Sequence, residues 1–234
     1  MLTVTDLSIS FPPDRTILDR ISFHVDPGES IALIGANGAG KTSLLLALVG
    51  ITPYQGSIQF EDIALTPKTA PKIRQKIGFV FQNPDDQLFC QTLRDDIAFG
   101  LENMGLPKDE INRRIDEWLD RFELTRFANQ PSQTLSGGEK RIAALATVLA
   151  MTPSCLILDE PTSFLDARAR KRLENALTQS NCARIIATHN IPFAARMCSR
   201  AILINDHKII ADGPALDLFH NADLMESCGA DYIS

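Results

Sequence analysis

Gly35-Ala36-Asn37-Gly38-Ala39-Gly40-Lys41-Thr42 has the spacing G-x-x-x-x-G-K-[ST], and its reading decides the fold. Small residues let a backbone curl until successive N–H groups point at one anion, with no side chain in the way. The flanks match that use. Upstream, Ser30 to Ile34 is a short apolar run of the kind that forms a buried parallel strand. Downstream, Ser43 to Val49 reads as a helix whose positive end faces the same anion. A strand, a glycine-rich turn and a helix in this order make a phosphate cradle within an α/β sheet. Lys41 is a mobile point charge suited to terminal phosphate oxygens, and the Thr42 hydroxyl is a hard ligand suited to Mg²⁺. Together they indicate a nucleoside triphosphate.

The 234 residues, 44% of them hydrophobic, can bury one large core, so a globally disordered chain is excluded. No apolar run approaches the roughly 20 residues that cross a bilayer, and no secretory leader is expected at the N-terminus. A cytosolic protein is therefore expected. Five widely spaced cysteines (Cys90, Cys155, Cys182, Cys198, Cys228) form no C-x-x-C pair, which predicts buried reduced thiols and neither a disulfide framework nor a zinc site. With 23 basic against 29 acidic residues, the net charge of −6 gives no general field for a phosphate backbone, and nucleic acid is not an expected partner.

Along the chain, Leu2, Val4, Leu7 and Ile9 mark a half-exposed strand that ends at Phe11-Pro12-Pro13. Phe11, placed before a loop, is either a core aromatic or a stacking surface for a purine. Strands are predicted at Ile21–Val25, Ser57–Phe60 and Ile77–Phe81, the last closed by Gln82-Asn83-Pro84. From Gln91 to Leu149 the period changes. Leu93, Ile97 and Leu101, then Ile111, Ile115, Trp118, Leu119 and Phe122, recur at helical spacing, so a helical block interrupts the strand-rich chain. Within it Ser136-Gly137-Gly138-Glu139 opens a helix that Ser136 can cap, leaving N–H groups free for an anion. Next, Cys155-Leu156-Ile157-Leu158-Asp159-Glu160 is an apolar strand ending in two acids. Side chains alternate along a strand, so these two take separate tasks: Asp159 in the Mg²⁺ shell and Glu160 as acceptor of a proton from attacking water. Asp166 precedes a helix over about 167–177, and His189 ends a further buried strand, Arg184–Thr188, where open α/β sheets present ligand groups. The tail reads as strands at Ala201–Ile204 and Lys208–Ala211 and a short helix at Ala215–Phe219.

In this order and spacing, Gly35 to Thr42, Gln82, Leu135 to Glu139, Cys155 to Glu160, Asp166 and His189 resemble the ATP-binding subunit of ATP-binding cassette transporters. The resemblance covers nearly the whole chain. It implies an α/β fold with a RecA-like phosphate-loop core, an antiparallel β subdomain and an inserted helical subdomain. The corresponding expectation is one domain over residues 1–234, with the core from about 1–90 and 152–234 and the helical part at about 91–151. It further implies ATP and Mg²⁺ as cofactors. The nucleotide would be held by Phe11 and by Gly35, Ala36, Asn37, Gly38, Ala39, Gly40, Lys41, Thr42 and Ser43. Ser136, Gly137 and Gly138 would close on it from a second ATPase in a head-to-tail homodimer or heterodimer. Thr42, Gln82 and Asp159 would hold the metal, and Glu160, His189 and Gln82 would serve catalysis. Two positions depart from the pattern: Phe11 stands where the family more often has Tyr, and Phe164 where a small residue is usual.

A narrower likeness lies in Phe81 to Phe89 and in Asp95-Asp96-Ile97-Ala98-Phe99-Gly100, which resemble the ATPases of energy-coupling factor importers. Leu135 to Met151 and Asp223-Leu224-Met225-Glu226 are similar to the cobalt/nickel branch, with biotin as the competing cargo. The implied function is ATP hydrolysis that energises import, at the cytoplasmic face of the cell membrane, through an integral coupling subunit and a substrate-binding membrane subunit. The alternative is a soluble ATP-dependent switch built on the same cassette. Asp85, Asp86, Leu88 and Phe89 are expected to form an exposed docking surface for a basic amphipathic helix.

Overall fold

Leu2–Phe11 (β1) and Arg15–Val25 (β2) form an antiparallel hairpin in a computed structural model that describes residues 1–233. Val4 and Leu7, three apart rather than two, both reach the core because the ladder shifts register between them, around Asp6 at φ +47°. The second strand is longer than its apolar half, Ile21–Val25, suggests. Its polar half is recruited by pairing, with Phe11 opposite Arg15 across the turn. Ser30–Ile34 (β3) enters the main sheet and feeds the helix Lys41–Leu48 (α1). The chain then returns to the first sheet as Gln55–Phe60 (β4) and Ile63–Ala64 (β5), giving the order β2-β1-β4-β5.

After a short helix, Ala70–Arg74 (α2), strand Ile77–Val80 (β6) forms the edge of the main sheet. The helical block follows as Leu93–Asn103 (α3), Lys108–Arg121 (α4) and Gly137–Leu149 (α5). On α4 the buried side chains are Ile111, Ile115, Trp118 and Leu119, one stripe, with Asp109, Glu110 and Arg113 outside. The main sheet resumes with Cys155–Asp159 (β7), then Ala167–Gln179 (α6), Ala183–Ala187 (β8), Ile191–Met197 (α7), Arg200–Asn205 (β9) and Lys208–Pro214 (β10). Ala215–Phe219 (α8) and Ala222–Ser227 (α9) complete the chain.

The main sheet runs β10-β9-β3-β8-β7-β6, parallel except for β10. Every residue of β7 and β8 is buried, as a sheet covered on both faces requires. Alternation divides the strands between two cores. Ile31, Leu33 and Ile157 face the cluster under the antiparallel sheet, while Ala32, Ile34, Leu156 and Leu158 face the cluster under the helices. The sheet order matters for function because β8 lies between β3 and β7, and the C-terminal ends of all three open on one edge. Among the described residues no helix is long and apolar enough to cross a membrane.

Candidate active site

At that edge a cleft of about 320 Å³ is lined by Phe11, Arg15 and Ile17, by Asn37, Gly38 and Gly40 to Ser43, and by Gln82, Asp159 and Glu160. The loop after β3 is held from outside. A Cβ on Gly35 would stand 2.5 Å from the carbonyl oxygen of Ile204 on β9, so only glycine permits that approach. Gly35, Ala36 and Ala39 shape the loop and do not line the cleft. Lys41 opens α1 and folds back, its Nζ donating to the carbonyls of Gly35 at 2.7 Å and Ala36 at 3.1 Å. Burial lowers the Lys41 pKa, opposed by the charges of Glu160 and Asp159. A phosphate entering the cleft would replace those carbonyls as the partner of the ammonium group.

Asp159 is the last residue of β7, and its Oδ2 accepts a 2.7 Å hydrogen bond from the Thr42 hydroxyl. Burial raises the Asp159 pKa, while the Thr42 bond and the Lys41 charge pull the other way. Thr42, Asp159 and Gln82 all line the cleft, so it carries a hydroxyl, a carboxylate and a carboxamide residue. Hard oxygen donors of this kind fit a small divalent cation such as Mg²⁺.

Glu160 leaves the line of the strand. Its backbone sits at φ +47°, a conformation costing a non-glycine residue on the order of 1 kcal/mol and concentrated at functional sites. The turn carries its carboxylate across to the end of β8. There Oε2 lies 2.9 Å from Nδ1 of His189, accepts from the Thr188 hydroxyl at 3.2 Å and faces the His189 amide at 3.4 Å. Glu160 is thus a buried carboxylate with one oxygen held by the Thr188 hydroxyl and the His189 amide, beside an exposed imidazole. That arrangement suits a base that must keep its orientation while a proton arrives.

Phe11 stands at the rim, 41% exposed, with its ring available for stacking. Ser136, Gly137 and Gly138 are not in this cleft. They line a separate hollow of about 780 Å³ with Phe164, Asp166 and Arg168. Ser136 caps α5 in a full capping box, in which its backbone N–H and its hydroxyl donate to Glu139 Oε2 at 2.9 and 2.7 Å. Burial tends to raise the Glu139 pKa, but these bonds and Arg126 outweigh it and lower it. Asp166 caps α6 through the Ala169 amide at 2.7 Å, and Phe164 is 86% exposed. A larger open groove, about 1020 Å³ beside Trp118 and Cys182, contains none of the motif residues.

One expectation about the segment after β6 needs correction. Leu88 is buried in the helical core, because Gln87 ties the segment to α5 through the Ala144 carbonyl at 2.7 Å and the Thr147 hydroxyl at 2.8 Å. Asp85 is exposed as expected, and its carboxylate accepts from Lys140 Nζ at 2.6 Å. Phe89 is exposed as expected, and it forms an edge-to-face pair with exposed Phe99, ring centroids 5.1 Å apart. Of the cysteines, all are free; four are buried and Cys90 is half-buried.

Sequence reasoning missed Arg141. It is 98% buried on α5, and its two terminal nitrogens donate to the carbonyls of Phe81 at 2.7 Å and Gln82 at 2.5 Å. Burial lowers its pKa against the attraction of Asp159 and Glu160. The signal was present: Arg141 is a cation at the head of Ile142–Leu149, a nearly all-apolar run that is buried on every side.

Residues 18–163 match the ABC transporter family. An ABC transporter ATP-binding protein of Geobacter sulfurreducens is 42% identical over 229 residues, covering 97% of this chain and 92% of that one. The energy-coupling factor transporter ATP-binding protein EcfA of Methanothermobacter thermautotrophicus is 40% identical over 231 residues, covering 96% and 74%. Among solved structures, cbiO1 of Clostridium perfringens, described as part of the ABC transporter complex cbiONQ, superposes with a TM-score of 0.82. It is 33% identical, covering 96% of this chain and 92% of that one.

Proposed function

The chain belongs to the ABC transporter family as an ATP-binding ATPase, and from that premise we propose that it powers an importer of the energy-coupling factor type. The cargo on this reading is cobalt/nickel ions or a vitamin such as biotin. The observation that carries the catalytic part is the Glu160–His189 pair at 2.9 Å, opening on the cleft that Lys41, Thr42 and Asp159 line. ATP lies along Gly35–Ser43 with its base against Phe11. Lys41 meets the terminal phosphates. Glu160 accepts a proton from water as the oxygen attacks the γ-phosphorus and the bond to ADP breaks. His189 holds Glu160 and the terminal phosphate in line. Thr42, Asp159 and Gln82 would hold Mg²⁺, which when bound neutralises phosphate charge.

Ser136, Gly137 and Gly138 line a hollow apart from the cleft, and on this reading, which the family resemblance implies, they serve a nucleotide on another subunit. We place that subunit head to tail, as a second copy or a second ABC ATPase. The membrane partners are an integral coupling subunit and a substrate-binding subunit, met from the cytoplasmic face. Support comes from the names of the relatives: one is an energy-coupling factor ATP-binding protein and the other part of a named transporter complex. The exposed Phe89–Phe99 pair, with exposed Asp86 three residues before Phe89 in the chain, supplies an apolar, acidic docking patch on this reading.

Co-expression with its membrane partners tests the reading. Phe89→Ala should leave ATP hydrolysis by the isolated chain unchanged while reducing both assembly in detergent and uptake in proteoliposomes. Full uptake by that variant would reject the docking patch. A chain that hydrolyses ATP but never assembles with membrane subunits would favour the soluble switch.

A further inference from the structure

α9 is fixed at both ends. The Asn221 side chain accepts from the Leu224 amide at 3.1 Å at its start. At its end Ala230 N–H donates to the Met225 carbonyl and Gly229 N–H to that of Glu226, both at 3.0 Å, with Gly229 at φ +67°. These two bonds close a Schellman turn, in which glycine is favoured because the left-handed conformation costs other residues energy. Met225 and Cys228 are fully buried and Phe219 beneath them is too, so the short helix is seated firmly in the core.

The turn abuts the phosphate loop. A Cβ on Gly229 would lie 3.1 Å from Ala36 Cβ and 3.7 Å from Ala36 Cα. Gly35, the preceding residue, is in turn pressed against the Ile204 carbonyl of β9. The carbonyl of Ala36 is also one of the two that hold Lys41 Nζ. The first turn of the loop is thus confined between a strand of the sheet and the C-terminal turn, and Lys41 is moored to the confined part.

We propose that Gly229 is a positioning residue for ATP binding: the Schellman turn of α9 buttresses Ala36 and thereby sets where the loop amides and Lys41 meet the phosphates. The C-terminal end of the chain, outside the 18–163 family match, then contributes to nucleotide affinity. By linkage, ATP must stiffen that end in return. The proposal rests on Gly35–Ser43 being the ATP cradle.

Gly229→Ala adds one methyl group that Ala36 must accommodate. Titration of the full chain with Mg-ATP should show affinity weakened about tenfold, about 1.4 kcal/mol. KM for ATP should rise in parallel while kcat at saturation stays within about twofold, the mark of lost uniform binding. Gly105→Ala is the control: it shares the left-handed conformation, at φ +73°, but a Cβ there meets nothing within 4 Å. It should leave affinity unchanged. Combining Gly229→Ala with Ala36→Gly removes one of the two crowded Cβ atoms, and the double variant should bind ATP as the Ala36→Gly single variant does. Unchanged affinity in Gly229→Ala, or strictly additive effects in the double variant, overturns the proposal. Hydrogen exchange on the unaltered protein gives an independent reading: ATP should slow exchange at the Gly229 and Ala230 amides, and unchanged rates there also overturn it. If the unaltered chain itself fails to bind Mg-ATP, the cradle assignment fails rather than the buttress.

Discussion

Replacing Arg141 by Met removes two charge-assisted hydrogen bonds that hold the backbone of Phe81 and Gln82 to α5. Bonds of this kind contribute about 1.5–3 kcal/mol each, so the gross loss is about 3–6 kcal/mol. Part is offset because a buried cation no longer has to be desolvated, leaving a net destabilisation of about 2–4 kcal/mol. For a chain of this length that lowers Tm by about 5–15 °C, readable by calorimetry. The second effect is catalytic. Gln82 lines the cleft, and its carbonyl is the atom Arg141 holds, so release of that anchor should reduce kcat about 10- to 100-fold, the range expected when an active-site group drifts by about 1 Å. Arg141→Lys keeps the charge but cannot fork to both carbonyls, and should fall between Met and the unaltered protein. A Met variant that melts within about a degree of the unaltered chain and retains its kcat would refute this account, since neither the fold nor Gln82 would then depend on the fork.

Glu160→Gln keeps an acceptor for His189 and Thr188 but cannot take a proton, so it should bind Mg-ATP, lose turnover and accumulate as an ATP-bound dimer on size-exclusion chromatography. A persistent monomer at high concentration would count against the head-to-tail arrangement. Asp159→Asn should trade activity for stability. Because burial raises the Asp159 pKa, the folded state holds that proton more tightly than the unfolded chain; the resulting stability is present at low pH and lost as pH rises through the carboxylate range. The Asn variant should therefore melt higher than the unaltered protein near neutrality, and the gain should vanish below about pH 3, where aspartate is protonated in both states. An equal gain at every pH would assign the effect to packing instead.

What could be read from the sequence were features that a contiguous segment carries by itself. The phosphate loop needs small residues, a lysine and a hydroxyl at fixed spacing. The buried strand Cys155–Asp159 needs an unbroken apolar run, and the caps of α5 and α6 need Ser136 and Asp166 in front of them. The helical block was visible because Ile111, Ile115, Trp118 and Leu119 repeat at the period of a helix. Short helices were legible unevenly: Ala215–Phe219 (α8) was read, whereas α2, α7 and α9 were not, because five to seven residues span too few turns for the period alone to mark them.

Tertiary structure decided which of these segments meet. Glu160 reaches His189 because the sheet order sets β8 beside β7, and because the backbone turns left-handed at Glu160. Leu88 looked like free surface, yet it is buried, because the 3₁₀ turn at Pro84–Asp86 packs on α5, where Gln87 finds its partners. Arg141 reaches back about 60 residues to Gln82, and Gly229 meets Ala36 from the other end of the chain. Local spacing constrains dihedral angles and the face a side chain takes, whereas these contacts depend on how sheets and helices stack, and that is settled only when the whole apolar surface is buried at once.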